Sequence, residues 1–220
     1  MLEATKSLLL VLSALFPIVN PLGGSPVFFS LTPEYSAAMR RALSMKIARN
    51  SFFLLVGSYL IGTHVLAFFG ISIPVVQVGG GLVVTTTGWA MLKRRDDEER
   101  KEVRSKPQPQ DPYRQAFYPF TLPLTVGPGS ISVAITLGAN AVQQPGLNLW
   151  PMVAAIVGAF VIAVSIYVCY GFSDRLAEIL GPSAMTVIMR LSSFLLVCIG
   201  VQILWNGVSA LLASVPLHLR

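Results

Sequence analysis

The chain has 220 residues, of which 54% are hydrophobic and 12% charged, with a formal net charge of +6. Soluble domains carry about 25% charged residues, so most of this surface cannot be wetted by water and lipid is the expected solvent. The basic balance does not signal nucleic acid either, because the cations stand beside apolar stretches and alternate with Asp96, Asp97, Glu98, Glu99 and Glu102 instead of lining one face.

Four stretches lack Asp, Glu, Lys and Arg: 7–33, 50–92, 115–173 and 191–219. A spanning helix needs about 20 apolar residues to cross roughly 30 Å of hydrocarbon. The first and last stretches hold one span each. The two longer ones hold two each, dividing at Phe69-Gly70-Ile71-Ser72-Ile73-Pro74 and at the turn 140–148, which carries Gln143, Gln144, Pro145 and Gly146. The spacing predicts an all-α polytopic membrane protein with six transmembrane helices near 7–31, 47–69, 73–92, 116–139, 149–171 and 190–213. Polar faces at helical spacing, the mark of a soluble bundle, are missing from these segments. Lys6 ahead of an apolar run has the form of a signal peptide, but no small-residue cleavage site follows, so the first span is read as a retained helix.

In chain order, span one is interrupted by Phe16-Pro17-Ile18-Val19-Asn20-Pro21-Leu22-Gly23-Gly24-Ser25-Pro26. In span two, His64 near one end reads as an interfacial residue. Span three carries Gln77, Gly79, Gly80, Gly81 and Thr85 to Thr87, a pattern that serves either a lining role or close helix packing, of which packing is the preferred reading. The following loop passes from alternating charge to a Pro-rich linker ending at Pro112. It divides the chain into a first three-helix unit (1–92), a linker (93–115) and a second three-helix unit (116–220). Span four is interrupted by Phe120-Thr121-Leu122-Pro123-Leu124-Thr125-Val126-Gly127-Pro128-Gly129-Ser130. Spans five and six hold Cys169 and Cys198, which form no C-x-x-C pair, have no His cluster nearby and are read as packing residues. Ala154 and Gly158 form a small-xxx-small pair that could pack within the bundle or between subunits.

Fourteen of the sixteen Lys and Arg residues fall on the side holding the loops near 40, 104 and 180. The positive-inside rule assigns that side to the cytoplasm and both termini to the exterior. Because three is odd, the second unit enters the membrane from the opposite side, so homologous halves would be inverted repeats.

Interior prolines remove helical hydrogen bonds at about 3 kcal/mol each, and freed carbonyls find no water in hydrocarbon. Two Pro–Gly clusters, one in the first helix of each half, therefore predict broken helices one and four around a midplane solute site. The break residues are Pro17, Pro21, Pro26, Pro123 and Pro128. The candidate binding residues are Asn20, Gly23, Gly24, Thr125, Gly127, Gly129 and Ser130. Free N–H groups at a restarting helix suit a carboxylate and free C=O groups suit an ammonium, so the expected ligand is a small zwitterionic or neutral solute.

The paired segments Pro17 to Pro26, followed by Phe28 and Leu31-Thr32, and Pro123 to Ile131 resemble the two signatures of the MarC family of bacterial and archaeal inner-membrane proteins. The last span, through Val201-Gln202-Ile203-Leu204-Trp205-Asn206-Gly207, is similar as well. The resemblance implies a transporter of small neutral amino acids such as glycine or alanine, with the first and fourth helices around the substrate. No Asp or Glu lies inside any span, whereas proton-coupled carriers commonly use one. The spans offer hydroxyls without an acid, base or ligand set, so no catalytic residue, metal or cofactor is expected. A non-transporting structural or regulatory membrane protein is the other reading, and it predicts a midplane filled with side chains.

Overall fold

The computed structural model describes residues 2–93, 114–142 and 149–214. The charged and Pro-rich part of the central linker and the turn carrying Gln143, Gln144, Pro145 and Gly146 lie outside the described residues. Every described element is helical. Helix α1 (Leu2–Val19) and α2 (Pro21–Ser30) together form the first span, separated at Asn20. Helix α3 is Ala37–Phe68 and α4 is Ile73–Lys93. A 3-10 turn at Arg114–Ala116 leads into an irregular wide-turned segment, Phe117–Thr125, and then into α5 (Pro128–Val142). Helix α6 is Trp150–Gly171 and α7 is Ser173–Ser214.

Five helices are long and apolar enough to span alone, and the pair Phe117–Thr125 and Pro128–Ala141, bent by 65°, makes a sixth if it is counted as one broken span. Side chains such as Phe53, Phe160, Leu195 and Trp205 are exposed on the outside of the bundle, the arrangement lipid requires and water would penalise.

Two spans begin earlier than apolar counting predicts. Helix α3 starts at Ala37 rather than near 47, because the Ser36 hydroxyl accepts from the Met39 N–H at 3.2 Å and caps it. Its 32 residues extend about 48 Å at 1.5 Å per residue, more than the hydrocarbon thickness. In the added turns Arg40 is buried and donates to the Thr32 carbonyl at 2.7 Å, and Arg41 packs over the Phe172 ring, whereas Arg49 is exposed. Helix α7 starts at Ser173 and turns sharply at Gly181 (φ 71°, ψ 169°), a conformation that favours glycine; its spanning part is Ser183–Ser214.

Long-range packing runs mainly between the first three spans and the last three. Helix α3 lies against α5 and α6, α1 against α6, α4 against α5 and α7, and α2 against α6 and α7. The α4–α7 contact is antiparallel and closest at glycine. A Cβ on Gly81 would sit 2.5 Å from the Leu204 nitrogen and 2.7 Å from the Gly200 oxygen. Gly88 meets Ser193 and Val197, and Gly207 meets Pro74 and Val78. Of the span-three residues expected to pack, Gly80, Gly81 and Thr85 do so, whereas Gly79 meets open space, Thr86 and Thr87 are exposed, and Gln77 lines a cavity. Cys198, read as a packing residue, is exposed.

Candidate functional site

The first break is one residue wide. Asn20 adopts the left-handed conformation (φ 47°, ψ 60°), and its side-chain oxygen accepts from the Gly23 N–H at 3.1 Å. Asn tolerates this region better than any other non-glycine residue, and Pro21 in the first helical position has no N–H to lose. The Gly24 N–H donates to the Asn20 carbonyl at 2.9 Å. Among the described residues, that leaves only Leu22 in this first turn with an uncommitted N–H. The restarting helix therefore caps itself, and its capacity to hold a carboxylate is smaller than the Pro–Gly pattern suggests.

Of the five prolines expected at the breaks, Pro21 and Pro128 begin helices, whereas Pro17 and Pro26 lie inside α1 and α2. The chain breaks at Asn20 because that residue, and not a proline, takes the positive φ.

The second break is longer. Tyr118 and Leu122 are extended within the wide-turned segment, Pro123 lies inside it, and Val126 is extended before α5 begins. The missing helical bonds are replaced locally. Thr121 Oγ1 donates to the Ala116 carbonyl, Thr125 Oγ1 to the Phe120 carbonyl at 2.7 Å, and the Val126 N–H to the Thr121 carbonyl at 2.8 Å. Hydroxyl side chains thus satisfy backbone that hydrocarbon could not.

Tyr170, on α6 and fully buried, joins the two breaks. Its hydroxyl is 3.2 Å from Thr125 Oγ1, and a Cβ placed on Gly24 would collide with it. Its ring stacks on Phe28 at 4.8 Å, and Phe28 meets Phe120 edge-on at 5.4 Å. Ser25 donates to the Cys169 carbonyl at 2.8 Å alongside. Sequence reading missed Tyr170, one of two phenols, with Tyr167, near the end of α6.

The other candidate residues are held more tightly than a ligand site needs. Gly23 lies against Ser192, and Gly129 against Val84 with the Gly80 oxygen 3.4 Å from its would-be Cβ. Ser130 is buried and donates to the Gly127 carbonyl at 2.9 Å. Gly127 is the least constrained, with only the Pro123 oxygen near its would-be Cβ.

Open space lies elsewhere. A cavity of about 320 Å³ opens between α1, α4, α5 and α7, and none of the seven candidate residues lines it. Its wall reaches Ile18, two residues before the first break, and Val133, five residues after Pro128. Its polar groups are Ser13, Gln77, Thr136, Gln202 and Asn206. Gln77 donates to Thr136 at 3.2 Å across helices, and Gln202 to Asn206 at 2.9 Å along one helix. Among the described residues no group of His, Cys, Asp and Glu could hold a metal ion.

An all-helical bundle with five or six apolar candidate spans and lipid-like outer walls defines a polytopic integral membrane protein. A family model for the MarC family integral membrane proteins matches residues 5–212, and the chain belongs to that family. It is 33% identical over 213 residues to an inner membrane protein MarC of Escherichia coli O1:K1, covering 94% of this chain and 96% of the relative. The K12 strain's inner membrane protein MarC is 32% identical over the same span. No solved structure matches the chain.

Proposed function

We propose that the protein is a transporter of small neutral solutes, glycine- and alanine-like amino acids foremost, working by alternating access between two inverted three-helix repeats, and that it is not an enzyme. The observation that carries the reading is the one-sided cavity. Its lining comes from the parts of α1, α4, α5 and α7 on the side of the termini. On the other side of the breaks, the equivalent space is filled by Phe28, Phe120, Thr125 and Tyr170. A purely structural membrane protein gains nothing from such a void beside two broken helices, since the side chains around it forgo the packing contacts of a filled interior.

Inverted symmetry is supported residue by residue. Adding 119 turns Gly81 into Gly200 and Gly88 into Gly207. It also turns the neighbours of Gly207, Pro74 and Val78, into those of Gly88, Ser193 and Val197. Adding 111 carries Leu43, Ile47, Ser51 and Leu55, all buried in α3, onto Ala154, Gly158, Ile162 and Ile166, all buried in α6, and Tyr59 onto Tyr170. The pattern is that expected of two repeats related by an axis in the membrane plane. With the positive-inside assignment, both termini and the cavity mouth face the exterior, and the arginine-rich loops face the cytoplasm of a cell bounded by this inner membrane.

Purified protein in liposomes is expected to take up labelled glycine or alanine saturably, and Asn20→Ala combined with Gly127→Leu is expected to abolish it. Absence of uptake under every imposed pH and sodium gradient would refute transport of these solutes.

A further inference from the structure

We propose that Gln77, Thr136, Gln202 and Asn206 form an outer recognition site for small solutes of zero net charge, separate from the residues at the helix breaks. The proposal rests on the transport reading and names where, and by what chemistry, the solute is first selected.

The helix breaks are poor sites in this structure. The first restarting helix has committed the N–H groups of Gly23 and Gly24, while Gly129 and Ser130 are packed or self-bonded. The cavity, in contrast, is open, and at about 320 Å³ it falls within the usual range of about 300–1,000 Å³ for small-molecule sites. Gln77 and Thr136 are half-buried on its inner wall, and Gln202 and Asn206 are exposed at its rim. Each internal hydrogen bond uses only part of its amides. An amide has two N–H donors and an oxygen with two lone pairs, so Gln77 keeps its oxygen and one N–H, Gln202 its oxygen and one N–H, and Asn206 both N–H groups. Donors and acceptors thus stand together with no fixed charge.

Among the described residues, no Asp, Glu, Lys, Arg or His lines the space. An ion moved from water into such a site loses its hydration without meeting a counter-charge, which is strongly unfavourable. A zwitterion brings its own counter-charge, and amides can hydrogen-bond both of its ends. The site therefore admits glycine, alanine or serine and rejects lysine and glutamate.

The test uses the full-length protein in liposomes, with the same preparation in detergent for thermal unfolding. Asn206→Leu, at the exposed rim, and Gln77→Leu are expected to raise KM for alanine at least tenfold with Vmax within about twofold. Gln202→Glu is expected to raise lysine uptake relative to alanine by a similar factor. Serine, and not lysine or glutamate, is expected to raise the wild-type unfolding temperature, and Asn206→Leu to remove that shift. Unchanged KM in folded Asn206→Leu protein that still transports alanine would overturn the site and leave the transport reading standing. A serine-induced shift lost in Asn206→Leu, without uptake of any solute, would uphold the site and refute transport. Neither uptake nor any thermal shift would overturn both.

Discussion

Replacing Tyr170 by Phe removes one oxygen from the junction between the broken helices and leaves the ring stacked on Phe28. Thr125 Oγ1 keeps its 2.7 Å bond to the Phe120 carbonyl, so no polar group is left unsatisfied by the change. The loss is one buried hydroxyl–hydroxyl bond, about 1 kcal/mol, felt only when the inner side is closed. A bias of that size shifts a two-state equilibrium roughly fivefold. The readout is labelling of Gly127→Cys, the break position with most room, in a background lacking Cys169 and Cys198. A membrane-impermeant thiol reagent added from the side of the arginine-rich loops should react about fivefold faster in Tyr170→Phe. An unchanged labelling rate in protein of unchanged melting temperature would refute the role of Tyr170 in holding that side shut. Tyr170→Ala is the stronger form: it leaves a cavity costing about 3–5 kcal/mol and is expected to lower thermal stability as well.

Asn20→Ala should destabilise the protein by about 1–2 kcal/mol, from the lost cap and the left-handed backbone, whereas Asn20→Gly should cost only a few tenths; thermal unfolding compares them. Gly81→Ala and Gly200→Ala each drive a Cβ into the facing backbone and are expected to lower stability by about 1–3 kcal/mol. Gly79→Ala, which meets open space, should be neutral or stabilising, and equal melting temperatures for Gly79→Ala and Gly81→Ala would contradict the packing described for α4 and α7. A reporter fused after Arg104 should read as cytoplasmic and one fused at the C-terminus as exterior; the reverse result would overturn the assigned orientation.

That the chain is a bundle of apolar spans was legible in the sequence because charge is excluded from hydrocarbon, and 43- and 59-residue stretches without charge leave few other solutions. The positions of the two interruptions were legible too, since Pro and Gly act locally. The ends of α3 and α7 were not. Ser36 and Gly181 set them through cap and turn geometry outside the apolar windows. Nor could composition rank the residues within the breaks. Whether Gly24 or Gly129 is accessible depends on Tyr170, Val84 and Gly80, which are brought there by other helices.

By itself, then, the sequence determined an all-helical, polytopic membrane protein whose helices are interrupted near Asn20 and Thr125, because burial in lipid and the hydrogen-bonding limits of proline are local constraints. The tertiary structure decided which side of the breaks is filled and which is hollow. It gathered Gln77, Thr136, Gln202 and Asn206 from three helices around one space. A cavity is a relation between elements far apart in the chain, and no window of sequence contains it.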